Sequence, residues 1–192
     1  MKKFILLAIF ATLISVAFAQ NPNELSPAAV EKATIPQRNL EVVKVLAVHD
    51  GDSYNVARKS GNQWIRLYGV DCPEVRSNFI TKSQPFGKQA GDLVRGMIKG
   101  LNVIIDSTDT DQYGRMVCKV YLSIDSLNYL DYSAFLVESG LAWCVKDMMT
   151  PDEYKVLHEA QNNAKASKIG LWALPGRKLL PSTWRKRYLF RK

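Results

Sequence analysis

Two rhythms of apolar residues divide the chain. From Phe4 to Val16 they run almost unbroken, behind Lys2-Lys3 and ahead of Ala17-Phe18-Ala19. A basic start, a short apolar centre and an A-x-A site make residues 1–19 an expected signal peptide, cut before Gln20. The run is too short for a good membrane span. Residues 20–39 are Asn-, Pro-, Ser-, Ala- and Gln-containing without periodicity, and read as a flexible leader. From Leu40 a strand pattern takes over. Val42, Val43, Val45, Leu46 and Val48 lead into Asp50-Gly51, a turn dipeptide. Ser53 to Arg58 is a second strand, Lys59-Ser-Gly-Asn62 a turn, and Gln63 to Val70 a third strand.

The pattern then loosens. Arg76 to Gln84 is polar and aperiodic and reads as a loop, after which Ala90, Leu93, Val94, Met97 and Leu101 mark one face of a helix stopping near Gly100. Two further strands are predicted at Val103–Ile105 and Met116–Leu122, with an acidic loop, Asp106–Asp111, between them. In the second of these the apolar parity turns Cys118 toward the core. Leu130, Ala134, Val137 and Leu141 mark a second helix. Thr150-Pro-Asp-Glu153 is a capping box with proline at the first helical position, opening a third helix that runs to about Lys168 and is closed by Gly170. Five strands with a helix after the third fit an α+β, mainly β fold: a five-stranded OB-type Greek-key barrel with three helices. The pattern alone also admits other α+β arrangements. The domain is expected over residues 40–173.

Charge changes the picture at the C-terminus. The whole chain carries a formal +8. Residues 177–192 hold seven basic side chains and no acidic one, so residues 174–192 read as a basic tail; without that tail and the two leader lysines, seventeen basic residues face eighteen acidic ones. A polyanionic partner follows, either nucleic acid or an anionic envelope surface. Three cysteines, Cys72, Cys118 and Cys144, allow at most one disulfide and do not suggest a zinc site.

Candidate chemistry gathers between His49 and Arg115. Asp50-Gly-Asp52 is a hairpin turn and also a source of hard oxygen ligands. Asp71 and Glu74 flank Cys-Pro, which fixes both carboxylates on one bend. An all-oxygen set suits calcium better than zinc or copper, and Cys72 could add its backbone carbonyl but not its thiol. Arg66 interrupts the apolar run Trp64-Ile-Arg-Leu-Tyr, where an unpaired arginine would be costly. Arg115 closes Asp111-Gln-Tyr-Gly-Arg. Nothing nearby orients His49 or His158 as a base.

In that order, Asp-Gly-Asp, strand arginine, Asp-Cys-Pro-Glu and Asp-Gln-Tyr-Gly-Arg resemble the staphylococcal-type thermonuclease family over about residues 40–173. Pro181-Ser-Thr-Trp-Arg185 resembles the tail of bacterial relatives. The resemblance implies that Asp52, Asp71 and the Cys72 carbonyl hold Ca2+, with Asp50 supporting. Glu74 would be the general base, Arg66 and Arg115 the catalytic phosphate clamps, and Tyr113 a substrate contact. It implies an exported, monomeric nuclease that hydrolyses DNA and RNA to 5′-hydroxyl and 3′-phosphate ends. Three departures accompany it: Cys72 stands where threonine is usual, Gln112 where lysine is, and Trp143–Met149 lacks a tyrosine pair, for which Trp143 or Tyr154 would have to substitute. About five residues also seem inserted before the second helix. A non-catalytic OB-fold nucleic-acid-binding protein is the alternative. An envelope-binding protein would leave the carboxylate–arginine set unexplained.

Overall fold

The computed structural model describes residues 40–123, 129–147 and 149–190. Its strands are β1 (Leu40–Val48), β2 (Ser53–Arg58), β3 (Gly61–Leu67), β4 (Val70–Asp71), β5 (Asn102–Thr110), β6 (Met116–Ser123), β7 (Tyr129–Asp131) and β8 (Trp143–Cys144). Four α-helices are described: α1 (Gly87–Ile98), α2 (Tyr132–Glu138), α3 (Pro151–Ala166) and α4 (Pro181–Tyr188). A 3-10 turn covers Gly170–Ala173.

The period-two pattern closes on itself. Antiparallel pairing runs β3-β2-β1-β5-β6, and parallel pairing of Ile65–Leu67 with Met116–Cys118 joins the two ends into a five-stranded barrel of the OB type. Val43, Val45, Val56, Ile65, Leu67, Val103, Ile105, Cys118 and Val120 are buried in the core. Each full burial of such a side chain is worth roughly 1.5–3 kcal/mol against exposure. Helix α1 closes one end with Ala90, Val94 and Ile98. The β4–β8 ribbon pairs Asp71 with Trp143, fixing the backbone that bears the first carboxylate of the Cys-Pro bend.

Several boundaries differ from the sequence expectation. The acidic stretch Asp106–Thr110 is strand: β5 continues through it, Asp106 facing Lys119 across the ladder, with a register shift between Ser107 and Asp109. Opposed charges across a ladder stabilise a strand that composition alone makes look like a loop. The expected third strand breaks at Gly69, whose φ of 75° turns the chain into β4. Leu130 lies on β7, and α2 starts after Asp131, whose carboxylate accepts from the Ser133 and Ala134 amides at 2.8 and 3.1 Å. The capping box of α3 is formed as expected. Residues 1–39, with the expected signal peptide and leader, and residues 124–128, before the second helix, lie outside the described residues. Cys72 and Cys118 are buried, Cys144 is half-buried, and all three are free thiols.

Helix α4 is the element the pattern did not announce. It packs against residues 79–84: Trp184 Nε1 donates to the Lys82 carbonyl at 2.8 Å, the Thr81 amide to Tyr188 O at 2.9 Å, and Phe190 N to Phe79 O at 2.8 Å. Trp184 is buried and lies against the Tyr188 ring, centroids 4.3 Å apart. Among the described residues no helix is long and apolar enough to cross a membrane.

Candidate active site

The turn between β1 and β2 is tied first by its own backbone and side chains. His49 N donates to Ser53 O at 2.9 Å, and Asp52 N to Asp50 Oδ1 at 3.2 Å. Gly51 is required there, since a Cβ would meet Cys72 Sγ at 2.5 Å. The hairpin turn expected at Asp50-Gly-Asp52 is formed. The turn lays Asp52 against the Asp-Cys-Pro-Glu bend, where Cys72 N donates to Asp52 Oδ2. Asp50, Asp52, Asp71 and Glu74 are all buried.

Arg66 is paired. Its guanidinium donates through Nη1 to Asp52 Oδ1, and through Nη2 to Asp71 Oδ1 at 2.6 Å and to the Val70 carbonyl at 3.2 Å. Arg115 stands on the other side of Ser53. Its Nη1 donates to Ser53 Oγ at 3.2 Å, and that hydroxyl donates to Asp52 Oδ1 at 3.2 Å. The rest of the Arg115 guanidinium is held side-on by Asp111, with Nε and Nη2 each 2.7 Å from Oδ2. Burial pushes the Asp111 carboxyl up, but the Arg115 and Tyr113 donors more than offset it and leave it below its ordinary range. Tyr113 is 75% exposed at the tip of this turn, its ring 5.5 Å from Arg115 Cζ.

Glu74 is built from three directions. Its amide donates to Gln84 Oε1 at 3.2 Å and its carbonyl accepts from Gln84 N at 2.8 Å. Helix α1 reaches this bend only because residue 87 is glycine: a Cβ would collide with Glu74 O. Phe86, just before it, is held at φ 72°, a left-handed backbone that a bulky side chain rarely adopts. From the third direction comes Arg185 of α4. Its Nη1 donates to Glu74 Oε1 and, at 3.1 Å, to Asp71 Oδ1, while Nη2 donates to Asp71 Oδ2 at 3.1 Å. Burial raises Glu74 above its ordinary value, and Arg185 opposes that rise; the two acids in turn raise Arg185.

The site therefore joins Asp52, Arg66, Asp71, Glu74 and Arg115 in one chain of contacts: Arg115, Ser53, Asp52, Arg66, Asp71, Arg185, Glu74; Tyr113 and the Cys72 carbonyl stand outside it. Ser53, Gln84 and Arg185 escaped the sequence reading. Pro181 at a first helical turn, with Trp184 and Tyr188 four apart in a charged segment, is the signal that could have located α4. Trp143 is not free to serve as a base platform, because it is buried edge-on against Trp172 at 5.6 Å. Tyr154 stacks on His158 at 5.1 Å, and His49 sits edge-on to Trp64.

The donors fit a hard dication by composition and charge. Four buried carboxylates share the cluster, and three of them, Asp52, Asp71 and Glu74, pair with Arg66 or Arg185, leaving a formal excess of −2 when all four are ionised. Among the described residues these acids do not converge on a single cation position, because their oxygens face the two arginines.

A fold and site of this kind define a class of phosphodiester hydrolase, and comparison with known proteins agrees. The profile of the Staphylococcal nuclease homologue family matches residues 64–174. An uncharacterized endonuclease of Escherichia coli O157:H7 is 32% identical over 144 residues, covering 75% of this chain and 84% of that protein. A thermonuclease of Staphylococcus hyicus is 31% identical over 173 residues, covering 87% and 95%. A micrococcal nuclease of Shigella flexneri is 26% identical over 150 residues, covering 76% and 79%. The chain belongs to the staphylococcal nuclease family, a family of metal-dependent enzymes acting on nucleic acids.

Proposed function

We propose that this chain is an exported, monomeric, calcium-dependent nuclease that cuts DNA and RNA, leaving 5′-hydroxyl and 3′-phosphate ends. The observation that supports the reading is the unbroken contact chain from Arg115 to Glu74, which brings together the arginines read as phosphate clamps, the acids read as metal ligands and the carboxylate read as the base.

Phosphodiesters resist attack because they are anionic, so the main task is to neutralise charge as it builds on the equatorial oxygens. Arg66, near the end of β3, and Arg115, just before β6, would turn paired N–H donors from Asp52, Asp71 and Asp111 onto two phosphate oxygens. Glu74 accepts the proton of the attacking water. The new bond forms between that oxygen and phosphorus, the bond to the 5′ oxygen breaks, that oxygen takes a proton from solvent water to become the 5′-hydroxyl, and the 3′ side keeps the phosphate. Asp52, Asp71 and the Cys72 carbonyl would hold the calcium, which when bound polarises a phosphate oxygen and water. Replacing the usual threonine by Cys72 leaves that carbonyl in place. Calcium is favoured over magnesium because an irregular set of carboxylates and a carbonyl suits its flexible shell, whereas magnesium demands a near-ideal octahedron. Tyr113, exposed beside Arg115, would meet a nucleotide next to the scissile phosphate.

The test is digestion of closed-circular plasmid and of RNA with excess chelator, calcium or magnesium. Nicking with calcium, none with chelator and weak cutting with magnesium are expected. Product ends should block polymerase extension until a phosphatase removes the 3′-phosphate. Gel retardation of DNA without cleavage would instead identify a binding module, and full activity in chelator would exclude the metal.

A further inference from the structure

The sequence places Arg185 in a basic tail, 111 positions beyond Glu74, yet the fold returns it to the pocket. Three features show a built contact. Arg185 spans both oxygens of Asp71 at 3.1 Å each while its Nη1 also reaches Glu74, so one planar guanidinium fixes two carboxylates relative to each other. The segment carrying it is anchored on both sides of the contact, by Trp184 Nε1 on Lys82 O and by the bridge of Ile80 with Leu189. The third feature is Gln84, itself buried, whose amide oxygen takes the Glu74 N–H while its amide nitrogen donates to Leu179 O at 2.7 Å. One side chain therefore ties the bend bearing the base to the chain entering α4.

Charge gives the reason. With only Arg66 in contact, four buried carboxylates would leave a formal −3; Arg185 brings this to −2, the amount one divalent cation cancels. Like charges this close scatter or take up protons unless a counter-charge holds them. A fixed guanidinium between Asp71 and Glu74 keeps the ligand and the base at a set separation.

We infer that Arg185 is a positioning residue of the active site, and that helix α4 is part of the catalytic domain, not a detachable tail. The inference rests on the nuclease reading for its effect on turnover, but the contact itself can be tested without it.

The experiment uses the full mature chain with Arg185→Ala, Arg185→Gln and Arg185→Lys, on a short oligonucleotide at saturating calcium. A loss in kcat of about 10- to 100-fold with little change in KM is expected for Ala and Gln, with Lys recovering only part. Added guanidinium ion, well below denaturing concentration, should restore some turnover to Arg185→Ala and none to wild type. Unchanged or higher kcat in Arg185→Ala would overturn the inference; a rise confined to limiting calcium would show the helix to be a plug. Thermal unfolding supplies the independent arm. Removing Arg185 should lower Tm clearly in wild type and much less in an Asp71→Asn/Glu74→Gln background, where neither of its charged partners remains, and equal shifts in the two backgrounds would also sink the idea. A wild-type protein that cuts nothing would refute the nuclease reading, while that cycle still decides whether Arg185 holds the pair.

Discussion

Two charged clusters sit on the same barrel and have opposite characters. Around Glu153, acceptors and donors balance. Its carboxylate accepts from Lys119 Nζ, from Tyr68 OH at 3.0 Å, and from the Thr150 amide and hydroxyl at 2.9 Å each. Burial pushes that carboxyl up, but these donors outweigh it and bring it down to about 2. Around Glu74 the acids outnumber the cations, and burial leaves the carboxyl raised. A satisfied network specifies structure. An excess of buried negative charge, kept at a cost in stability, is the arrangement expected where function outweighs stability. The two clusters should therefore fail in different ways when cut.

The largest effect is expected at the unbalanced cluster. Glu74→Gln removes the base while leaving an amide that can still accept from Arg185, so turnover should fall by about 10²–10⁴-fold with substrate affinity kept. Arg66→Lys and Arg115→Lys should each cost about 100-fold in kcat, since a lysine cannot make the paired contact. Arg66→Lys should also lower Tm, because Arg66 holds Asp52 and Asp71 together. Arg115 bonds Asp111 and Ser53 and is partly exposed, so Arg115→Lys should lower Tm less than Arg66→Lys. Steady-state kinetics and thermal unfolding on each variant check both halves. Near wild-type turnover in any of the three, in folded protein, removes its assigned role.

The balanced cluster should show the reverse. Glu153→Gln keeps the capping box, whose third position glutamine also fills, but loses the charge-assisted bonds to Lys119 and Thr150, a cost of about 1–2 kcal/mol in stability at neutral pH, with kcat unaffected. The sign of the pH dependence follows from the depressed carboxyl. Its folded value, about 2, lies below its ordinary 4.5, so the stabilisation is fully present above pH 4.5 and is lost as pH falls toward 2. The difference in Tm between wild type and Glu153→Gln should accordingly shrink over that window. A constant difference from pH 6 to pH 2.5 would show that the lost packing, not the charge, matters.

The same contrast explains what could be read from the chain alone. Asp52, Arg66, Asp71, Glu74 and Arg115 were legible because each sits at a turn or breaks an apolar strand, so a local irregularity betrays it. Barrel closure followed from strand count and order. The continuation of β5 through Asp106–Thr110 was not legible, since its partner strand supplies the stabilisation from a distance. Arg185 was hidden more thoroughly. Six other basic residues surround it in residues 177–192, and composition cannot tell a charge that points to solvent from one that turns inward on a buried tryptophan. Only the docking of Trp184 separates them.

The smallest expected effect concerns those solvent-facing charges. Arg177, Lys186 and Arg187 are exposed, and among the described residues none makes an ion pair. Arg185, in the same segment, is committed to Asp71 and Glu74. Unbalanced charge in the pocket acts at contact, whereas unbalanced charge on the surface acts through its field, and salt separates the two. Each duplex phosphate neutralised contributes about 0.9 to the slope of log affinity against log salt, so Arg177→Gln, Lys186→Gln and Arg187→Gln together should flatten that slope by up to about 2.7. The triple variant should capture long DNA more slowly at low salt, yet match wild type in kcat on a saturating short oligonucleotide and in Tm. Salt titration of binding, using catalytically silent Glu74→Gln as the parent to prevent cleavage, measures the slope directly. An unchanged slope would mean that these side chains face away from the bound duplex. A fall in kcat with an unchanged slope would extend the contact-acting group beyond Arg185 along α4.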